Sequence, residues 1–246
     1  MTRMAARSAL TVTAEDVEIR HHLWITWTRI ARNEVTQARS ARVKVLNAKD
    51  KGQNWALEME PEYMASLVAI SACAHALDAI YGALKPLLPD TRASKSRRAS
   101  KSRHAQIRSV LAHALDDIYG ALKPLVPATR ASKSRHAQIR SVLAEAFKLG
   151  NVTQRHWKAE FTWLFDLRDG AVHYNEESLP TVPHPIDGHG SQAAATYCME
   201  TADRAVALLF EVLTALGSPD RARNDQVHAY SEGATRIIND ELIAPF

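Results

Sequence analysis

The sequence predicts an all-α fold, an up-and-down helical bundle, and three observations carry that prediction. Glycine is scarce, nine in 246 residues. Val, Ile and Thr seldom alternate with polar residues, and the helix formers Ala, Leu, Arg and Glu are plentiful. With 46% hydrophobic and 24% charged residues, the chain has the composition of a compact domain and not of a disordered tail. The expectation is a single helical domain over 1–246, in the cytoplasm. The opening MTRMAARSAL lacks the apolar core of a secretory leader, and no apolar run reads as the roughly 18 to 20 residues of a membrane span. Cys73 and Cys198 lie in Ala-rich apolar stretches and read as buried free thiols, too few for a disulfide framework or a four-cysteine metal site.

The elements follow in order from capping and periodicity. Thr13 with Asp16 three positions on suits a capped helix over about 14–46, with Val17, Leu23, Trp24, Trp27, Ile30 and Ala31 as its apolar stripe. NAKDKGQN, residues 47–54, is a polar turn. A second helix runs from Pro61, tolerated in a first turn, to Leu84, where Pro86 and Pro89 end the run. A third helix covers about 103–123 and stops at Pro124 and Pro127; a fourth covers 134–149 with Gly150 as its stop. The next begins near Thr153 and carries Trp157, Phe161, Leu164 and Phe165. SLPTVPHPIDGHGS, residues 178–191, reads as a Pro/Gly loop. A long helix over 191–216 and a weaker one over 226–243 complete the chain.

The middle of the chain is duplicated. Residues 74–97 and 112–135 match at 21 of 24 positions, differing only at Ala79/Asp117, Leu88/Val126 and Asp90/Ala128. RASKSRHAQIRSVLA stands at 98–112 and again at 130–144. Removing 98–135 rejoins RASKSR to HAQIRSVLAEAFKLG, so this segment is a helix-loop insertion made by tandem duplication. Two copies are too few for a solenoid. They compete for one slot in the bundle, and either can fill it, leaving the other as an appended helix or a dimer contact.

Duplication also explains the charge. The segment holds eight Lys/Arg and two Asp, and without it the formal net charge of +4 becomes −2. The basic balance is therefore weak evidence for a nucleic-acid surface. RASKSRRASKSR, residues 92–103, still sets six positive charges in twelve residues, and Arg98, Lys101 and Arg103 are candidate contacts to phosphate.

Chemistry concentrates after residue 157. Trp157, Phe161, Leu164, Phe165 and Arg168 fall on one helical stripe, and a guanidinium against apolar surface requires a carboxylate, a phosphate or a partner subunit. His173, five residues on, sits about 140° around an ideal helix and roughly 7.5 Å along it. Either Gly170 breaks or bends the helix between the two, or a second subunit completes the site. A structural account is also open: Arg168 pairs with Asp78 or Asp116, and His173 caps the helix end.

The motif Arg168-Asp-Gly-Ala-Val-His173, at the end of a late aromatic helix in an all-helical outline over about 14–216, resembles the HEPN superfamily of nucleotide-binding helical bundles. Its members carry an Arg, four to six residues, then His. The resemblance implies a homodimer that pairs two motifs across a cleft and cleaves RNA without a metal or other cofactor. It implies that His173 acts as general base or acid on the ribose 2′-hydroxyl or the leaving oxygen. Arg168 then stabilises the phosphorane, Asp169 orients either side chain, and Tyr174 contacts the phosphate or lines the cleft. The products expected are a 2′,3′-cyclic phosphate and a 5′-hydroxyl. Two departures stand out: Asp169 replaces the commoner Asn, and no Tyr stands two positions after His173.

Other chemistries find less support. His184, Asp187 and His189 lie within six residues and offer a lesser metal set. His75, His104, His113 and His136 are repeat copies that add to no constellation. No Gly-rich phosphate loop, GxSxG, HExxH or CxxC pattern occurs. The expected partners are RNA, a second copy of the chain and a cognate antitoxin or other protein, with no membrane. The alternatives to a ribonuclease are a catalytically silent HEPN-like module that binds RNA, a nucleotide or a protein, and a purely structural bundle.

Overall fold

A computed structural model describes residues 14–55, 59–89, 134–172, 182–186, 188–190 and 192–243. These form an all-α bundle. In chain order the helices are α1 (Ala14–Asp50), α2 (Met59–Leu84), α3 (Arg135–Ala146), α4 (Asn151–Val172), α5 (Gln192–Thr196), α6 (Met199–Leu216) and α7 (Asp225–Ile237), with a π-turn at Ile238–Ile243. Between α4 and α5 a short antiparallel hairpin pairs β1 (Val182–His184) with β2 (Gly188–Gly190).

The hub is α2, which packs against α1, α3, α4 and α6. Its Ala65, Ala69, Ala72, Cys73, Ala76 and Ala83 are buried, alongside Ile70, Leu77, Ile80 and Leu84. Small side chains let neighbouring backbones approach from several sides, so the helix is apolar nearly all round. That corrects the expectation that no segment is apolar enough to span a bilayer. Residues 59–87 are long and apolar enough by length and composition, and 61% of the most apolar window is buried inside the bundle. Here the apolar length serves a central helix.

Residues 74–84 form the end of α2, while α3 comes from the last copy of RHAQIRSVLA. The third expected helix, 103–123, lies outside the described residues.

Several boundaries differ from the sequence reading for identifiable reasons. The fourth expected helix ends at Ala146 and not at Gly150, because Phe147 turns extended (φ −122°, ψ 150°) and bridges to Ala222. Lys148 donates its N–H to Arg221 O at 2.7 Å, and Arg223 returns one to Ala146 O at 2.9 Å. The segment 178–191 is not wholly loop, as it holds β1 and β2. The long helix expected over 191–216 divides at Tyr197 and Cys198, where Cys198 is extended. Of the expected α1 stripe, Trp24 and Ala31 are buried, Trp27 and Ile30 pack at the edge of the core, and Leu23 is exposed; Val17 lies outside the side chains described.

One buried ionic network fixes the junction of α1, α2 and α6. Arg42 donates from Nε and Nη2 to Glu62 (2.8 and 2.7 Å) and from Nη1 and Nη2 to Glu200 (2.5 and 2.8 Å). Glu62 also accepts the N–H of Met199 at 3.1 Å, at the positive end of the α6 dipole. Burial works against the charge on Arg42, but hydrogen bonds and the field of the two carboxylates outweigh it and hold its pKa above the ordinary arginine value. Each carboxylate thus accepts two bonds from the one guanidinium, the bidentate geometry of a strong ion pair.

Candidate functional site

The expected stripe of α4 is realised: Trp157, Phe161, Leu164 and Phe165 are buried, and Trp157 stacks on Phe161 at 5.7 Å. Arg168 continues the stripe to the rim of the core, its side chain 23% exposed. The guanidinium lies 4.9 Å from the centre of the Phe165 ring. It donates from Nε and Nη2 to one oxygen of Asp169, at 3.0 and 2.6 Å. Its Nη1 stands 3.5 Å from Asp78 Oδ2 across the α2–α4 contact.

Asp78 is shared. Its other oxygen accepts from Arg135 Nε at 2.6 Å, so two guanidinium groups from α3 and α4 converge on one carboxylate of α2. Arg135 also covers the ring of Tyr81 at 4.2 Å, with Lys85 Nζ 5.1 Å from the same ring. His136 stands 6.4 Å from the Phe165 ring, its Nε2 within 2.9 Å of Ser134 Oγ. The sequence reading set the His copies of the repeat aside, yet His136 belongs to this cluster. Arg135, Tyr81 and Lys85 were missed as well. A signal for two of them was present: Asp78, Tyr81 and Lys85 sit at i, i+3 and i+7 of an Ala-rich helix, a polar line along one face.

Of the residues expected to act, Arg168 and Asp169 are together. His173, Tyr174, Arg98, Lys101 and Arg103 lie outside the described residues. Gly170 does not break the helix, since α4 runs through it to Val172. Its lack of a side chain has another use: a Cβ there would stand 3.1 Å from Tyr197 Oη, and that hydroxyl donates to Leu167 O at 2.9 Å. Gly170 thus lets α5 close against the last turns of α4.

His184 leaves the metal set proposed for the hairpin. It is buried, its Nδ1 accepts from Ile186 N at 3.3 Å, and its Nε2 donates to Ala194 O at 3.2 Å. Burial, together with the nearby positive Arg42, lowers its pKa against the opposing pull of Glu62 and Glu200, which suits a neutral imidazole with both nitrogens engaged by backbone. Asp187 and the side chain of His189 lie outside the description. Among the described residues no group of His, Cys, Asp and Glu is arranged to hold a metal ion.

Arg42 and Arg168 differ in a way that bears on function. Arg42 donates four hydrogen bonds to two carboxylates, whereas both short bonds of Arg168 go to a single oxygen of a neighbour whose side chain is 59% exposed. An exposed pair of that kind contributes about 0–1 kcal/mol, so an incoming anion displaces it at small cost. No family model, no curated protein and no solved structure matches this chain.

Proposed function

We propose that the chain is a HEPN-like metal-independent endoribonuclease, of the kind used in bacterial defence or toxin systems, acting as a homodimer. The observation that supports it best is the setting of Arg168. A guanidinium braced on Phe165, held on its outer side only by the exposed Asp169 and lying five residues before His173, is prepared to exchange a carboxylate for a phosphodiester.

In this reading His173 takes the proton of the ribose 2′-hydroxyl, whose oxygen attacks the adjacent phosphorus. The bond to the 5′-oxygen of the next nucleotide breaks, and that oxygen takes a proton from solvent water as it leaves. A 2′,3′-cyclic phosphate and a 5′-hydroxyl result, with Arg168 stabilising the charge on the phosphorane. Asp169 keeps Arg168 extended until RNA arrives. Arg135 adds a second positive group beside Asp78, and Tyr174, Arg98, Lys101 and Arg103 extend the contact to the nucleic acid.

The test is incubation of a mixed RNA pool with the purified protein and chelator, beside Arg168→Ala and His173→Ala, with analysis of the ends. Cyclic-phosphate ends that disappear in both variants are expected. Intact RNA in the presence of well-folded protein refutes the ribonuclease.

The contact between Arg168 and Asp78 favours a second reading, in which the guanidinium pins α4 to α2 and the bundle is a silent binding module or purely structural. Under it, Arg168→Ala lowers stability and leaves RNA retention unchanged.

A further inference from the structure

Asp78 is flanked on α2 by the buried Leu77 and Ile80, and its half-buried carboxylate is shared by guanidinium groups from two other helices. Arg135 Nε of α3 stands 2.6 Å from Oδ1, and Arg168 Nη1 of α4 stands 3.5 Å from Oδ2. The buried network at Arg42 is the reverse, one guanidinium between two carboxylates. With Lys85 and Asp169 included, this end of the bundle sets three cations against two carboxylates, and Asp169 is the more exposed carboxylate.

Both guanidinium groups are braced by rings and do not depend on Asp78 alone. Arg135 lies 4.2 Å from the centre of the Tyr81 ring and Arg168 4.9 Å from that of Phe165, and both rings are buried. Cation–π contact holds the two groups in place when the carboxylate between them is exchanged. The side chains of Arg135 and Arg168 are 41% and 23% exposed, so an anion from solvent can reach them. Arginine takes carboxylate and phosphate through the same fork of donors, because both anions present paired oxygens in similar geometry. A carboxylate that joins two guanidinium groups through its two oxygens therefore holds them at a spacing that two oxygens of one phosphate can bridge.

We propose that Arg135 and Arg168 bind one and the same backbone phosphate of a single-stranded nucleic acid, and that Asp78 is a built-in competitor that holds their place until the strand arrives. The proposal rests on the phosphodiester reading of Arg168. It adds Arg135 as a substrate-binding residue and Asp78 as the residue that sets the affinity: the entering phosphate is repelled by Asp78, and two charge-assisted bonds offset that repulsion. Lys85, 5.1 Å from the Tyr81 ring that Arg135 also covers, continues the positive surface toward a neighbouring phosphate.

The test is fluorescence anisotropy of a labelled oligothymidylate, which lacks the 2′-hydroxyl needed for cleavage, titrated with the full chain over a series of salt concentrations. Asp78→Asn keeps the shape of the side chain and removes the competing charge, so it is expected to bind about tenfold tighter, whereas Arg135→Gln and Arg168→Gln each bind about tenfold weaker. Where two arginines share a phosphate, either one alone still neutralises it. The salt slope is therefore expected to hold in each single variant and to drop by about 0.7 in the double variant. A slope that drops in each single variant and twice as far in the double places the arginines on separate phosphates and overturns the proposal. So does an Asp78→Asn protein that binds no tighter than wild type, or a strand that does not bind at low salt. Where Arg135→Gln fails to fold, Asp78→Asn decides alone. Arg168-dependent RNA cleavage that Arg135→Gln leaves unimpaired refutes the shared phosphate while the ribonuclease stands. Tighter binding by Asp78→Asn with the expected slopes, while RNA stays intact, upholds the shared phosphate and refutes the ribonuclease.

Discussion

Replacing each of two arginines by methionine separates a structural guanidinium from a functional one. Arg42 is 8% exposed and faces Glu62 at 3%. In Arg42→Met the Glu62 carboxylate stays buried with only the Met199 N–H as partner. Stranding a buried charge costs about 3–5 kcal/mol, a large share of the about 5–15 kcal/mol that holds a domain together. At roughly 2–4 °C per kcal/mol for a chain of this size, the melting temperature falls by about 10 °C. The double variant Arg42→Met/Glu62→Leu removes the stranded charge along with its partner and recovers most of the loss. Arg168→Met gives up an exposed contact to Asp169 and a 3.5 Å contact to Asp78, about 0–1 kcal/mol, and a cation–π contact of about 0.5 kcal/mol, while the methionine keeps its packing on Phe165. Its melting temperature falls by only about 2–4 °C. Thermal and urea melts followed by circular dichroism read both variants in one series. An Arg168→Met loss as large as that of Arg42→Met would falsify the assignment, because Arg168 would then be the pin between α4 and α2. A double variant no more stable than Arg42→Met alone refutes the account of the buried network.

Three further outcomes are expected. Burial, and secondarily Arg42, keep the folded pKa of His184 below its ordinary value of about 6.5, so the unfolded chain takes up the proton first. Its contribution to stability is therefore full above about pH 6.5 and falls as the pH drops below it; Glu160 and Glu200, lowered below about 4.5, act in a separate, more acid window. His184→Asn should flatten the fall in melting temperature between pH 6.5 and 5, and an unchanged slope counts against the neutral buried imidazole. Cys73 and Cys198 are buried, and burial raises both thiol pKa values, so neither should label with a thiol reagent until denaturant is added; fast labelling of the native protein contradicts the packing. Deleting 98–135 puts Ser96 and Arg97 in the places of Ser134 and Arg135 and leaves six residues, 90–95, in place of 44, 90–133, between Pro89 and that serine. Closing the shorter loop costs about 1.8 kcal/mol less, so the deletion variant should melt higher and at least as sharply, and a lower, broader transition shows that the inserted copy supports the bundle.

The helical class and most element boundaries were determined by the sequence alone, because periodicity, proline position and scarce glycine act locally. The stripe Trp157, Phe161, Leu164, Phe165 and the placement of Arg168 at its edge follow from residue spacing on one helix. What packs across a helix does not. The pairing of Arg135 with Asp78 joins residues 57 apart, and that of Arg42 with Glu200 joins residues 158 apart; nothing in either neighbourhood marks its partner. The early end of α3 was hidden for the same reason, since Phe147 goes extended to bridge Ala222 and not in response to its own neighbours. Gly170 shows the limit most clearly. In the sequence it reads as a helix breaker inside a motif, and only the approach of Tyr197 reveals that its role is to make room. Local propensity decided which segments are helices, and tertiary packing decided which of their polar side chains meet across the bundle.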